Sequence, residues 1–345
     1  MEIEHSWKRR LTLGTVFLLV LEALPLEKGL SMSVSSHLRN GAQLTLSAVP
    51  GPVLVALGAS LWATDSLFRA HVIHHASALM IVTINHSLLF LPSLFLLYKH
   101  REELRDLTPK EWFGLVYVAV MVSVMGAVAF TEAFAHTSNY SVPVLIQKVQ
   151  PCFAIVLGHL LVRESVRSRF WGFAAMALMG TYLLSFGLRR AWVDMGRGDL
   201  EAIAYALLAA LLWGSGTVVG RLLLRKMNFP VVTAARFLIG SLFSVLFFGV
   251  SQLFSTETWP ALGEALVGDF WNYVAMAFLS GLIPMWIYYR GLRSTPVPVA
   301  ALCELTFPIV AIFLNWIYLG ATLSSVQIFG AALILFAVSA ISLRG

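Results

Sequence analysis

Five ionisable side chains lie inside long apolar stretches of this sequence, where charges are rare: Asp65, Glu132, Lys148, Arg236 and Glu304. An ionisable group within the hydrocarbon of a membrane costs about 3 kcal/mol, so it normally faces a polar cavity or a partner. Three of the five predict a central polar cavity. In it Lys148 meets a carboxylate or phosphate of a bound molecule, while Asp65 or Glu304 meets an amine or carries a proton.

The depth of these groups leaves other interpretations open. At about 1.5 Å per residue, Asp65 and Lys148 fall roughly 10–12 Å from the same membrane surface. A buried ion pair between them would only fix helix packing. Glu132 is nearer a helix end and is either a third proton-coupling candidate or an interfacial carboxylate. Arg236 lies about a turn and a half from a helix end, so we expect it to extend to the phosphate headgroups.

Uncharged side chains at comparable depth complete the predicted binding site. Trp62 and Trp213 lie near the middle of their helices, where an indole is not an interfacial anchor, and they either stack on a bound molecule or pack. Gln147 and Asn85 are further binding candidates, with hydrogen bonds between helices as the alternative. Tyr140 is a candidate wall residue, with ordinary packing as the alternative.

Two prolines lie within apolar stretches and interrupt the helices there. Pro151 and Pro308 each remove a backbone donor, which leaves a carbonyl without its helical partner. Discontinuous helices of this kind serve binding and gating in membrane proteins. We therefore predict that both are gating kinks, with a harmless bend as the alternative.

The elements that carry these residues are predicted to be ten transmembrane helices. The chain is 58% hydrophobic and 12% charged, about half the charge of an average soluble domain. Its uncharged stretches reach about 20 residues, enough to cross about 30 Å of hydrocarbon as a helix. They do not alternate, which favours helices over a membrane β-barrel. The predicted spans, numbered one to ten, are 53–71, 76–98, 112–136, 140–162, 168–188, 199–222, 230–254, 270–290, 296–319 and 323–343.

Composition and motifs argue against other classes of protein. The net charge of +6 does not indicate nucleic-acid binding, because the basic residues sit at span ends. Cys152 and Cys303 lie far apart in apolar spans and are predicted to be small core side chains. The sequence contains no HExxH, Walker A, GxSxG or CxxC pattern. We therefore predict no enzyme activity, no metal and no cofactor. The expected partners are a small-molecule substrate, the lipid bilayer and a second copy in a homodimer.

Two segments, 53–190 and 199–343, look like copies of one unit. Trp62 of span one corresponds to Trp213 of span six, and Pro151 corresponds to Pro308 after a small change of offset. The alternative, coincidence among apolar helices, does not explain why the informative residues match. Each copy has an odd number of spans, so the second inserts upside down. Two inverted five-helix repeats place a binding site near the membrane midplane.

The first 52 residues belong to neither copy. An apolar run over 11–21 follows three basic residues and is short for a span. We expect this extension to be an interfacial helix or a leader. Lys and Arg concentrate in the loops after even-numbered spans, which predicts that both termini are cytoplasmic.

In order and spacing the spans resemble the EamA family of the drug/metabolite transporter superfamily. The resemblance covers roughly 53–343. It rests on LWATDSLFRA in span one, LLWGSGTVVGRLLL in span six, SVPVLIQKVQPCFAIVLGHLLVRES in span four, FPVVTAARFLIGSLFSVLFFG in span seven and TPVPVAALCELTFPIVAIFLNWIYLG in span nine. Glu164 matches the acidic residue usual in the family, whereas Gly320-Ala321 departs from the usual Gly-Glu in the second copy. The resemblance implies export or exchange of small metabolites, often amino acids.

These observations together predict a secondary transporter that works by alternating access. We expect it to export or exchange small polar, amino-acid-like metabolites across a bacterial cytoplasmic membrane. A nucleotide-sugar or phosphate-ester exchanger is an alternative that would need more than one cation facing the cavity. A non-transporting scaffold or a lipid-handling protein is the alternative outside the transporters.

Overall fold

The computed structural model describes residues 49–73, 75–136, 146–164, 168–188, 197–254, 258–319 and 324–344. Within these ranges every regular element is a helix. The helices of the first half are Gly51–Trp62, Asp65–Val72, Ala78–Leu88, Phe90–Lys99, Arg101–Arg105, Pro109–Tyr117, Val118–Met125, Gly126–Ala135, Gln150–Leu157, Gly158–Val162 and Ser168–Phe186. Those of the second half are Arg197–Leu224, Phe229–Ser251, Trp259–Gly268, Phe270–Ala277, Phe278–Leu282, Ile283–Leu292, Val297–Cys303, Thr306–Leu319 and Ser325–Arg344.

Several of these helices are long and apolar enough to cross a membrane. In the described part of the chain, five qualify: Gly51–Arg69, Pro109–Ala133, Leu200–Leu224, Phe229–Ser251 and Phe270–Leu292. The pair Ala78–Leu88 and Phe90–Lys99, bent by 41°, makes six when the two helices are counted as one broken span. Shorter apolar helices stand at spans four, nine and ten. The predicted all-helical membrane fold is confirmed, and the count of ten spans is confirmed in part.

Helix starts follow from short polar signals in the sequence. Thr108 accepts a hydrogen bond from the backbone N–H of Glu111, and the Glu111 side chain bonds back to Thr108, which caps span three. Ser77 caps span two in the same way through the N–H of Met80. Such caps satisfy backbone donors that a helix leaves unpaired at its start. They determine the residue at which each of these apolar helices begins.

The spans of the two halves have matching neighbours: each span packs against the counterparts of the spans that its own counterpart contacts. Span one packs against spans eight and nine, and its counterpart, span six, packs against spans three and four. Three pairs of counterparts pack against each other: two with seven, four with nine, and five with ten. Exchanging each span with its counterpart reproduces the same neighbours, as expected for two repeats with a common fold.

Spans five and ten cross where two glycines meet. A Cβ atom on Gly180 would lie 2.7 Å from the carbonyl oxygen of Gly330, and a Cβ on Gly330 would lie 2.7 Å from that of Gly180. Helices in membranes use small residues to bring their backbones this close. Neither glycine tolerates a side chain unless the helices separate.

Spans four and nine are broken at matched places. The helix of span four is interrupted at Lys148 and Val149, and that of span nine at Glu304 and Leu305. Alignment by the breaks pairs Lys148 with Glu304, where alignment by sequence pairs Gln147 with it. Span one has a similar interruption just before Asp65.

The two prolines follow these breaks. Pro151 and Pro308 lie in the first turn of the helices Gln150–Leu157 and Thr306–Leu319. Proline is tolerated there because the first turn has no helical acceptor for its missing N–H. The discontinuous helices are therefore present, whereas a gating role for the prolines stays a prediction.

Spans three and eight each contain a wide, π-helical stretch. These stretches are Val118–Met125 and Phe278–Leu282, at corresponding places in the two halves. A π-helical turn holds an extra residue and often marks a functional site. The two stretches carry Ser123 and Ser280, which both line the cavity described below.

One carboxylate joins the end of span four to the second half. Glu164 lies 3.6 Å from Nε of Arg221 and 3.0 Å from Nη2 of Arg225. Its other oxygen accepts a 2.6 Å hydrogen bond from the backbone N–H of Val297, at the start of span nine. The acidic residue noted in the sequence therefore connects spans four, six and nine.

Candidate functional site

A cavity of about 270 Å³ lies between the two halves. Residues of spans one, three, four, six, seven, eight and nine line it. Among the described residues its wall contains five charged side chains: Asp65, Arg69, Lys148, Arg236 and Glu304. Its volume lies close to the lower end of small-molecule pockets, about 300–1,000 Å³.

Glu304 is held by a hydrogen-bond network that crosses between the halves. One carboxylate oxygen accepts bonds from the hydroxyl of Tyr288 at 2.6 Å and from that of Thr217 at 3.0 Å. The other accepts a 2.6 Å bond from the amide of Gln150, which belongs to span four of the first half. Gln147, which is buried, donates in turn to Gln150 at 2.5 Å. A carboxylate with three donors is stable in an apolar bundle and holds a fixed orientation.

Lys148 lies in the same cavity and forms no ion pair with any residue in the described part of the chain. Its ammonium sits over the ring of Phe307, 4.1 Å from the centroid, in cation–π geometry. Among the described residues no carboxylate lies within 4.0 Å of it. The alternative of an Asp65–Lys148 ion pair is therefore not what the structure shows.

Asp65 instead pairs with a residue of its own helix. Arg69, one turn further along, donates to both Asp65 oxygens, the bond to Oδ1 being 3.1 Å long. The hydroxyl of Ser280 lies 3.4 Å from Asp65 Oδ1, and Thr131 lies 3.4 Å from Nη1 of Arg69. The pair connects span one to spans three and eight at the edge of the cavity.

Arg236 corrects an expectation drawn from the sequence. It does not extend to the headgroups; only 8% of it is exposed, and it lines the cavity. Its Nε donates to Ser123 at 3.2 Å, and its Nη1 donates to the hydroxyl of Tyr289 at 2.9 Å. Span seven packs against the π-helical stretch of span three, so this face of the helix points into the bundle.

Aromatic rings from both halves form part of the cavity wall. Trp62 lies against Tyr288, with ring centroids 4.9 Å apart. Trp213 lies against Phe130 at 5.0 Å. The indole N–H of Trp213 donates a 3.1 Å hydrogen bond to the carbonyl of Val122, which belongs to the π-helical stretch of span three. The matched tryptophans of the repeat thus face one cavity.

Two predicted site residues, Asn85 and Glu132, lie outside the cavity. Asn85 is not among the cavity residues, and its buried side-chain oxygen has no hydrogen-bond partner in the described part of the chain. Glu132 also lies outside the cavity, 3.9 Å from His136 with 35% of its side chain exposed. Tyr140 falls outside the described residues.

Four of the cavity's polar contacts were missed in the sequence: Arg69, Thr217, Ser123 and Ser280. Arg69 follows Asp65 at the i, i+4 spacing that pairs side chains on a helix, so its role carried a readable signal. The three hydroxyls carried none, because serine and threonine are common in membrane helices.

Broken helices, a two-fold relation between halves and a charged central cavity are the features of a membrane transporter. Comparison with known proteins gives the family. The model of the EamA-like transporter family matches residues 49–186 and again 200–343. The chain belongs to this family, as its resemblance implied, and is an integral membrane protein.

Individual relatives extend along most of the chain. The riboflavin transporter ImpX of Fusobacterium nucleatum is 31% identical over 304 residues, covering 85% of this chain and 98% of that protein. An uncharacterised transporter of Synechocystis sp. is 23% identical over 332 residues, covering 87% and 88%. A solved crystal structure covers 84% of this chain and 95% of its own with a TM-score of 0.66, at 18% identity. That structure shares the fold.

Proposed function

We propose that the protein is a secondary transporter for a small planar aromatic metabolite, with riboflavin as the first candidate. The observation that carries the proposal is that Trp62 and Trp213, from corresponding places in the two halves, line one polar cavity. Support for the candidate comes from ImpX, a named riboflavin transporter similar along almost its whole length.

The cavity offers what such a molecule needs. A flat ring gains about 0.5–1.5 kcal/mol from an aromatic neighbour beyond the area that it buries. The amides of Gln147 and Gln150, with the hydroxyl of Tyr288, supply donors and acceptors for polar ring atoms. The amino-acid-like substrate and the export direction expected from the resemblance are not supported by the named relative and stay predictions.

Alternating access would act on the bonds that cross between the halves. The bond from Gln150 to Glu304 joins the broken segments of spans four and nine, so rocking the halves apart must break it. Glu304 is therefore our candidate for the residue that couples substrate or proton binding to movement. The competing candidate, Asp65, is already neutralised by Arg69.

A phosphate-ester exchanger is the second candidate function, and one observation favours it. Such a protein was expected to need more than one cation facing the cavity. Lys148 and Arg236 both line it, and neither has a carboxylate within 4.0 Å among the described residues.

Flux into proteoliposomes tests the proposal directly. We expect the purified protein to move radiolabelled riboflavin, and Trp62→Ala to raise the half-saturating concentration by roughly three- to tenfold as stacking is lost. Trp112→Ala is the matched control, because Trp112 lies near the start of span three, outside the cavity, and is 40% exposed. Absence of flux above that of empty liposomes, from protein that is folded, would exclude riboflavin. Labelled sugar phosphate in the same assay tests the second candidate.

A further inference from the structure

Arg236 has a part of its guanidinium that nothing in the described protein uses. Its Nε and Nη1 are held by Ser123 and Tyr289, and the guanidinium carbon lies 5.9 Å from the ring centroid of Tyr289. Nη2 has no hydrogen-bond partner among the described residues, yet it is not closed off from the cavity that Arg236 lines. Two donors therefore remain available to a molecule in the cavity.

The described side chains around Arg236 provide no negative charge to balance the positive charge of its guanidinium. Ser123 accepts from Arg236 and lies 3.0 Å from Nε2 of His86. Nδ1 of His86 lies 2.9 Å from the carbonyl of Val82, so it carries the hydrogen. In the neutral ring Nε2 is then the acceptor of the Ser123 hydroxyl, and a second positive charge buried beside the guanidinium would be unfavourable. The remaining neighbour, Tyr289, is neutral as well.

Among the residues that the structure describes, the formal charges of the cavity wall add up to one excess positive charge. Asp65 and Arg69 neutralise each other, and Lys148 and Glu304 carry opposite charges. Arg236 is left over, with only 8% of it exposed, inside the membrane. A buried, uncompensated cation is unfavourable, so such a site gains most from a ligand that supplies a negative charge.

We propose that Arg236 is an anion subsite that takes one oxyanion group, a carboxylate or a phosphate. The planar guanidinium is held by two partners, and its free Nη2 donates to an oxygen of such a group in a charge-assisted hydrogen bond. The oxyanion is either part of the transported molecule or a separate small anion bound beside it. The inference rests on the proposed function only in placing the substrate in this cavity.

A matched pair of probes tests the subsite. Indole-3-acetate and indole-3-acetamide share ring and size and differ in one negative charge. We expect the acetate to bind the detergent-purified protein at least about tenfold more tightly, as a hydrogen bond between charged groups allows. In Arg236→Gln the two probes should bind alike, whereas in Lys148→Gln the preference should remain. Equal binding in the wild type, or a preference that only Lys148→Gln abolishes, would overturn the assignment.

The melting temperature of Arg236→Gln without ligand tests whether the arginine serves packing instead of anion binding. If Arg236 awaits an anion, replacing it by neutral glutamine should leave the melting temperature unchanged or raise it. A variant that melts well below the wild type would assign Arg236 to packing and overturn the proposal.

Inorganic phosphate distinguishes the sources of the oxyanion. If the subsite binds a separate anion, added phosphate should strengthen the binding of indole-3-acetamide. If it binds an oxyanion carried by the substrate, added phosphate should instead displace indole-3-acetate. Either result supports the subsite if it is lost in Arg236→Gln. Failure of riboflavin to bind, with the acetate preference intact, would reject the proposed substrate and leave the subsite standing.

Discussion

Replacing Gly180 by alanine is expected to destabilise the protein, because the added Cβ forces spans five and ten to separate. The added Cβ would lie 2.7 Å from the carbonyl oxygen of Gly330 and 3.1 Å from the backbone nitrogen of Ile334. Both are backbone atoms, so no side-chain rotation relieves the contact. The helices must separate by a few tenths of an ångström or more.

The expected size of the effect follows from two opposing terms. Alanine in a helix interior is more stable than glycine by about 0.5–1 kcal/mol. Overpacking a tight contact costs about 1–3 kcal/mol. The net expectation for Gly180→Ala is a loss of about 0.5–2 kcal/mol. Gly172, in the same helix, has nothing within 4 Å of an added Cβ, so Gly172→Ala should show the gain alone.

The measurement is the free energy of unfolding in detergent, by denaturant titration of both variants and the wild type. Opposite signs for the two alanines are expected. If Gly180→Ala proved as stable as Gly172→Ala, the close crossing of spans five and ten would be refuted. If both variants lost stability equally, the assumption that alanine stabilises this helix relative to glycine would be wrong.

Three further substitutions test other contacts in the same titration. Tyr288→Phe removes a donor to the Glu304 carboxylate and should cost about 1.5–3 kcal/mol; an unchanged midpoint would contradict that bond. Glu164→Gln should cost clearly more than Arg225→Gln, because the carboxylate serves several donors whereas the Arg225 side chain is 44% exposed. Equal losses would argue against a cluster centred on the carboxylate. Trp213→Phe keeps a ring on the cavity wall but loses the N–H bond to span three, at a cost of about 1 kcal/mol; no loss would show that the ring alone matters.

The sequence was sufficient to predict an all-helical membrane fold, and three of the charges that it singled out, Asp65, Lys148 and Glu304, line the cavity. Apolar runs of membrane length locate helices because every backbone group in lipid must be satisfied within its own segment. Lys148 and Glu304 stood out because a charge in such a run needs a polar environment. Trp62 and Trp213, for which the sequence left stacking on a bound molecule and packing open, both line the cavity.

What the sequence could not supply was the direction in which a side chain leaves its helix. Arg236 was judged by its depth alone, and depth does not distinguish a headgroup from a cavity. Asn85 and Glu132 were at suitable depths too, yet they point elsewhere. The network around Glu304 needed side chains from four spans, and its partner Thr217 has no signal of its own in an apolar helix.

The wide turns of spans three and eight have a consequence for how this chain tolerates insertions and deletions. Removing one residue other than Val122 and Ser123 from 118–125 would restore an ordinary α-helix and leave both of those residues in the chain. It would also redirect the side chains and carbonyls of this stretch, because the wide turn that accommodates the extra residue would be lost. Ser123 would then leave Arg236, and the acceptor of the Trp213 N–H would turn away. In these two helices the number of residues, as much as their identity, sets which groups meet in the cavity.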